Sequence, residues 1–539
     1  MAEFWSYASV ELVMLLVFTL LLLRHYTHKS VRWGYWVFIA ASWYLGFVGT
    51  LLLPMDVGQS QTEGRQPVMM ALWAFVYWTT FVLAWVVLPV LQEFYGSGEL
   101  GWQKRLKYSL RSNIKFYLVS LILIVILIVW MAISQSWSFA HVGGFLIMCA
   151  NTWGIILTVF MLGYGLVEVP RMFWAWSDPA EYIRVLQFSA PHLDSDLFTA
   201  KCDIDDIIAD TRRLREKLPH TGPLRDFIES IHRGLPEDPG SGTGDVTIDA
   251  ETAGEKELAA LHRRLIAGRA RLKRCQFRWD LLLRRVSEAE MIANNSSPVV
   301  HTTRERLHWW WNLKASRVAY KVISAACAFL SGIVVWCELA VAIPTDANLS
   351  IYGLIVQGAS GWFGKQLLCV ILLGYMSLCL YLPLFRLKLF DSLEMVGSRQ
   401  TDTYSLCFNA SYLCRLQFVL AYNFQRVLET APDSTAFDHA VGSNIQLVPL
   451  MGHDFNTYVP LLMIILALCT FFNVYTRVLR LMGVEQFGTP RKGNPTDDET
   501  IREGRTLIDR AQSRDLERGR RGAASAAASS RGGGGGAGA

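Results

Sequence analysis

Long uncharged runs alternate with short polar punctuation along this chain, and one polar stretch near its middle is far longer than the rest. An α-helix rising 1.5 Å per residue needs about 20 apolar residues to cross a hydrocarbon layer about 30 Å thick. Runs of that length lie near 4–23, 33–53, 68–91, 113–134, 143–167, 319–343, 364–385, 403–424 and 456–478. The first carries Glu3 and Glu11, with no basic leader and no small-residue cleavage site, so it reads as a span and not as a removable signal. The pattern predicts an all-α integral membrane protein with nine transmembrane helices, five plus four, around a cytosolic helical hairpin. A first membrane bundle takes 1–167, the insertion 168–318, a second bundle 319–480 and a basic, largely disordered tail 481–539.

Within the insertion the period changes to that of amphipathic helices. Leu197, Ile204, Ile207, Ile208, Leu214 and Leu218 recur on a charged segment over 198–218, and Pro219 ends it. A short piece at 223–235 follows, and then a Pro, Gly, Ser, Asp and Thr stretch at 236–254 that predicts a flexible loop. From 255 to 293, Leu258, Leu261, Leu265, Leu272, Phe277, Leu281 and Val286 stand among many Arg. The simplest arrangement is an antiparallel pair with a heptad-like seam, a short coiled coil. Trp309, Trp310 and Trp311 predict an interfacial girdle before the sixth run. In the tail, Thr496 and Glu499 have capping-box spacing before one Arg-rich amphipathic helix with Ile501, Leu507, Ile508 and Leu516, and the Ala/Gly end is low-complexity.

Charge orients these elements. Of the 539 residues 18% are charged, against about 25% in an average globular chain. Positive flanks resist translocation. Arg24, Lys29 and Arg32 follow the first run, Lys104, Arg105, Lys107 and Arg111 the third, Arg386 and Lys388 the seventh, while Arg477 and Arg480 close the ninth. The opposite loops hold little beyond Arg65 and Arg426, which puts the N-terminus outside and the tail inside. Arg415 sits near the middle of the eighth run, where a re-entrant loop is the alternative; that loop would turn the ninth run and the Arg-rich tail outward. The ten cysteines avoid the predicted outside loops, so no disulfide framework is expected. Asn348, in Asn348-Leu349-Ser350, is a glycosylation acceptor outside, whereas Asn294 and Asn295 lie inside.

Candidate chemistry is sparse. Gly240, Gly242 and Gly244 lack the strand before and the Lys-Ser/Thr pair after that a phosphate loop needs, and His25 and His28 lack carboxylate or Cys partners. Neither hydrolase nor kinase motifs occur, so no enzyme activity, metal, cofactor or nucleic-acid partner is expected. What remains is the set of polar residues in or beside apolar runs: Glu11, Asp56, Asn151, Glu168, Glu338, Lys365, Arg415 and Asn473. An unpaired charge in hydrocarbon is expensive. Two readings stay open, a polar cavity between helices or interhelical bonds that fix packing, including a Lys365 pair with Glu338 or Glu11. Carbonyls or amides of neighbouring helices are the expected partners of Arg415, with Asn151 and Asn473 as candidates. Ser324, Ala328 and Gly332 form a small-residue packing stripe.

The segments LLLPMDV at 51–57, ANTWGIILTVFMLGYGLVEVPR at 150–171, LRDFIESI at 224–231, VVWCE at 334–338, QTDTYSL at 400–406, CRL at 414–416 and YVPLLMIILALCTFFNVYTRVLRLMGVEQF at 458–487 carry a resemblance. With the five-plus-four arrangement, the chain resembles the LIMR family of limb-region and lipocalin-interacting membrane receptor proteins, and within it the second LMBR-domain-containing subfamily. The linker near 240 and the Ala/Gly end depart from it. The resemblance implies no catalytic residues. It implies a multi-pass plasma-membrane regulator or adaptor of G-protein-coupled receptor signalling, with an endolysosomal membrane as the alternative location and transport of a small solute or lipid as the alternative function. Its partners would be membrane lipid, other membrane proteins including such receptors, and a cytosolic protein held by 198–218 and 255–293.

Overall fold

In a computed structural model of the protein the described residues are 2–59, 66–133, 139–218, 221–235, 254–294, 302–311, 315–343, 349–386, 395–428, 435–442, 453–474 and 495–532. Asn348, the 236–253 part of the predicted loop, the side chain of Asn151 and the Gly-rich end at 533–539 lie outside them. Among the described residues the chain is helical, without strands apart from one bridge between Thr27 and Thr401.

Helices α1 (Ala2–Tyr26), α2 (Trp33–Gln59) and α3 (Gln66–Val82) come first; α3 runs through a π-helical turn at Leu83–Val87 into α4 (Leu88–Gly96). Then follow α5 (Trp102–Ile133), α6 (Phe139–Ser177), α7 (Pro179–Lys217), α8 (Pro223–Arg233), α9 (Glu255–Ala293), α10 (Thr303–Trp310) and α11 (Ser316–Ala342). The remainder is α12 (Ile351–Gly358), α13 (Gly361–Arg386), α14 (Thr403–Val427), a π turn at Asp438–Gly442, α15 (His453–Phe471) and α16 (Pro495–Gly532).

Six segments among the described residues are long and apolar enough to cross a membrane: Ser6–Tyr26, Trp33–Gly58, Pro67–Gly96, Gly154–Ser177, Ser316–Val341 and Gly361–Phe385. The other three expected runs fall on α5, α14 and α15, which are not among these six. For α14 the reason is physical. Its residues are buried on nearly every face, including Asn409, Gln417, Asn423 and Gln425, so little of its surface has to suit lipid.

The chain divides into two compact units. One comprises Met1–Arg171, Asp205–Arg271 and Ile323–Tyr475, the other Met172–Ile204, Leu272–Val322 and Thr476–Ala539. At the centre of the first, α14 packs on α2, α3, α4 and α13. A leucine of α14 seats itself over a glycine of α2: a methyl at Gly46 would stand 1.7 Å from Leu413 Cδ2. Beside them the 205–271 part forms a polar layer with an apolar interior that includes Ile207, Ile208, Phe227, Ile231, Leu258, Leu261 and Leu265. Buried Asp210 meets Arg264 at 3.5 Å, and Glu229 binds Arg215 at 2.9 Å and Arg225 at 3.0 Å. The hydrogen bond from Arg215 holds Glu229 below the usual carboxylate range. Three contacts tie α9 to the ends of α4 and α5: His262 Nδ1 donates to the Gly98 carbonyl, Arg263 to the Tyr108 hydroxyl, and Lys104 to Glu255.

In the second unit, Leu186 and Ala190 of α7 pack with Leu282 and Val286 of α9, and Leu197 and Ala200 pack with Cys275. Rising numbers on α7 meet falling numbers on α9, so these stretches run antiparallel. Ile508 of α16 is buried in the same cluster, and Arg184 bonds Asp498 at 2.9 Å. Helix α16 covers the stretch of the tail where the sequence predicts an amphipathic helix, and a methyl at its Gly504 would stand 1.9 Å from the Gln187 carbonyl of α7.

Candidate functional site

A proline inside a helix has no N–H to donate, so a carbonyl one turn earlier loses its partner. In an apolar bundle that carbonyl must find another donor. Pro89 shows the consequence. In the π turn the Leu88 N–H reaches back five residues to the Leu83 carbonyl. Pro89 is next in that register and would serve Ala84, but cannot. The Ala84 carbonyl instead accepts from two α14 side chains, Ser411 Oγ at 3.0 Å and Arg415 Nη2 at 2.9 Å. The adjacent Trp85 carbonyl accepts from the Tyr117 hydroxyl of α5. Such π bulges are frequent at functional sites.

Arg415 completes this joint. Its Cζ lies 4.0 Å from the centroid of the Trp85 ring and 5.7 Å from that of Tyr412. A desolvated cation–π contact contributes about 2 kcal/mol and a charged hydrogen bond roughly 1.5–3. Together they offset the lower estimate of about 2.5–3.5 kcal/mol for a central Arg. Among the described residues no carboxylate pairs with it, and its Nε has no acceptor.

Pro170 makes a second joint. The Leu166 carbonyl, four residues before it, accepts from Ser331 Oγ of α11 at 2.6 Å, and the Pro170 carbonyl accepts from Ser324 Oγ at 2.8 Å. Ser331 also shares a hydrogen bond with the Tyr375 hydroxyl of α13. Close by, a methyl at Gly165 would lie 1.9 Å from the Cys379 carbonyl, the one that Pro383 leaves without its helical donor. Of the expected small-residue stripe on α11 only Ser324 is buried; Ala328 and Gly332 are exposed, and the donors are Ser324 and Ser331.

The acids expected to matter are placed separately. Asp56, 4% exposed, accepts from Trp73 Nε1 at 3.1 Å and from the backbone N–H groups of Ala436 at 3.1 Å and Phe437 at 2.8 Å, so it caps the segment leading into the second π turn. Glu338 accepts from Asn423 of α14. Glu11 accepts twice from Gln366, at 2.8 and 3.0 Å, while Lys365 has no ion pair with Glu11 or Glu338. Arg171 lies 3.6 Å from Glu168, donates to Asn473 Oδ1 at 3.1 Å and to the Phe471 carbonyl at 3.3 Å, and so caps the end of α15. Asn473 itself holds the left-handed backbone that ends the helix, with φ 52°. It serves Arg171 and not Arg415.

These residues do not converge. Tyr117, Ser331, Gln366, Asn423 and Ser411 were not singled out in the sequence, and a usable signal for the first two was a proline within an apolar run. A small cleft beside Asn423 is lined also by Thr158, Val159, Val419, Tyr422 and Met463, and the Thr158 hydroxyl is buried there without a partner. Among the described residues no three His, Cys, Asp or Glu converge as a metal would require.

Residues 6–475 match the family model described as LMBR1-like membrane protein. The chain is 26% identical to the G-protein coupled receptor-associated protein LMBRD2B of Danio rerio, over 93% of this chain and 82% of that one. It is 27% identical to the G-protein coupled receptor-associated protein LMBRD2 of Gallus gallus, over 94% and 84%. With the LMBR1 domain-containing protein 2 homolog A of Dictyostelium discoideum it shares 26%, over 92% and 76%. No solved structure matches it significantly. The resemblance noted in the sequence thus holds over nearly the whole chain, which belongs to the family of LMBR1-like membrane proteins.

Proposed function

We propose that the protein is a plasma-membrane regulator or adaptor that engages G-protein-coupled receptors and modulates their signalling or trafficking. In this reading it has nine spans, five plus four, an outside N-terminus, and a cytosolic hairpin of α7 and α9 that presents partner-binding surface. It performs no catalysis. Two relatives are named as receptor-associated, which supports the class of partner. The observation that carries the reading is where the intramembrane polar groups go. Glu11, Asp56, Glu338, Arg415 and Asn473 each bond a different neighbouring segment and not one common path.

Crosslinking in the native membrane, followed by identification of the captured proteins, tests it. Receptors should be captured with the unmodified chain and lost with Leu261→Asp, Leu265→Asp, Leu272→Asp. A transporter remains the second reading, favoured by the unpartnered Thr158 hydroxyl in the cleft beside the Glu338–Asn423 pair. Solute flux into liposomes that disappears with Glu338→Gln would replace the adaptor by a transporter.

A further inference from the structure

The first turns of α5 carry chemistry that the bundle does not use. This helix packs on α4 through one face, where Ser109 donates to the Val90 carbonyl and Asn113 to the Pro89 carbonyl. Next to that face Trp102, Leu106, Leu110 and Ile114 recur every fourth residue, with Trp102 67% and Ile114 60% exposed. Lys107, Arg111 and Lys115 run alongside that stripe and line the same shallow groove. None of the three forms an ion pair among the described residues, and α5 contains no Asp or Glu.

Length places this surface. With 32 residues α5 is about 48 Å long, some 18 Å more than the hydrocarbon layer. The uncharged part above Lys115 fills that layer, so the groove lies at and just beyond its edge, where headgroups are. There Trp is at home and Lys and Arg extend their heads toward phosphate.

We propose that this groove binds an acidic phospholipid, with an acyl chain along Leu106, Leu110 and Ile114 and the anionic headgroup held by Lys107, Arg111 and Lys115. Charge complementarity selects the occupant: an acidic peptide would use the three cations but leave the apolar stripe in water, whereas a phospholipid uses both. That α5 spans the membrane, and which leaflet the groove meets, rest on the topology proposed above. The groove does not depend on receptor association, so failure of either leaves the other standing.

Native mass spectrometry of the full-length protein, released from mixed phosphatidylserine and phosphatidylcholine nanodiscs, tests the site. The unmodified protein should retain phosphatidylserine in clear preference. Because each cation near an anionic leaflet strengthens attachment by roughly fivefold, the variant Lys107→Gln, Arg111→Gln, Lys115→Gln should lose that preference by about tenfold or more. Lys107→Arg, Lys115→Arg should keep it, as should Arg502→Gln, Arg505→Gln, Arg510→Gln in α16, which removes as many charges elsewhere. Equal retention of both lipids by the unmodified protein, or an undiminished preference in the first variant, would overturn the proposal.

Discussion

The apolar bundle and the polar helices α7 to α9 specify their partners by opposite means. In the bundle almost every surface is oily, so an oily contact says little about which neighbour belongs where; hydroxyls, amides and one guanidinium aimed at particular carbonyls do. Ser331 on Leu166, Tyr117 on Trp85 and Arg415 on Ala84 are such choices. In the 205–271 layer most surfaces are charged, and the discriminating residues are Ile207, Phe227, Leu261 and Leu265. In each region the minority chemistry fixes the packing, because it has the fewest acceptable alternatives.

The largest effect that would break this contrast comes from charging the buried seam. Leu261→Asp with Leu265→Asp should cost roughly 2 kcal/mol or more per site, because each carboxylate meets no partner there. Limited proteolysis should then cut α7 to α9 while the bundle still inserts; unchanged resistance would mean the leucines are not the anchors. Next comes crowding in the bundle. Gly165→Ala puts a methyl 1.9 Å from the Cys379 carbonyl, so α6 and α13 must separate, at about 1–3 kcal/mol, which a lowered thermal midpoint in detergent should show.

The smallest effect concerns pH. Burial, aided by Arg105, lowers the pKa of His262, against the opposing pull of the Gly98 carbonyl. The unfolded chain therefore takes up a proton first, beginning near about pH 6.5. Stability of the α9 contact is full above that value and falls as pH drops through the lowered pKa. His262→Gln, which cannot charge, should flatten this dependence in hydrogen exchange of the 255–271 backbone.

Much of this was legible in the chain. The apolar runs announced the helices, and the leucine periodicity announced α7 and α9, since burial imposes a period on any helix with one covered face. Asp56, Glu338 and Arg415 stood out because a charge among apolar residues demands an answer. Their partners did not stand out. Asn423 and Gln366 are neutral, and Ser411 and Tyr117 are ordinary residues until the fold brings a free carbonyl opposite them. Arg415 was expected to meet a carbonyl or an amide of a neighbouring helix, and the π turn makes the Ala84 carbonyl the one it meets, while Asn473 serves Arg171. That turn depends on the register of bonds just before Pro89, which pattern alone does not reveal.

The most direct measurement is a double-mutant cycle at the Pro170 joint. Ser331→Ala alone should lower the stability of the bundle by about 0.6 kcal/mol or somewhat more, the usual worth of a hydrogen bond between membrane helices. In a Pro170→Ala background residue 170 regains an N–H, the Leu166 carbonyl is satisfied within α6, and the same serine loses most of its importance. The account predicts a coupling of about 0.5 kcal/mol or more between the two positions, read from unfolding in mixed micelles. Strict additivity would contradict it.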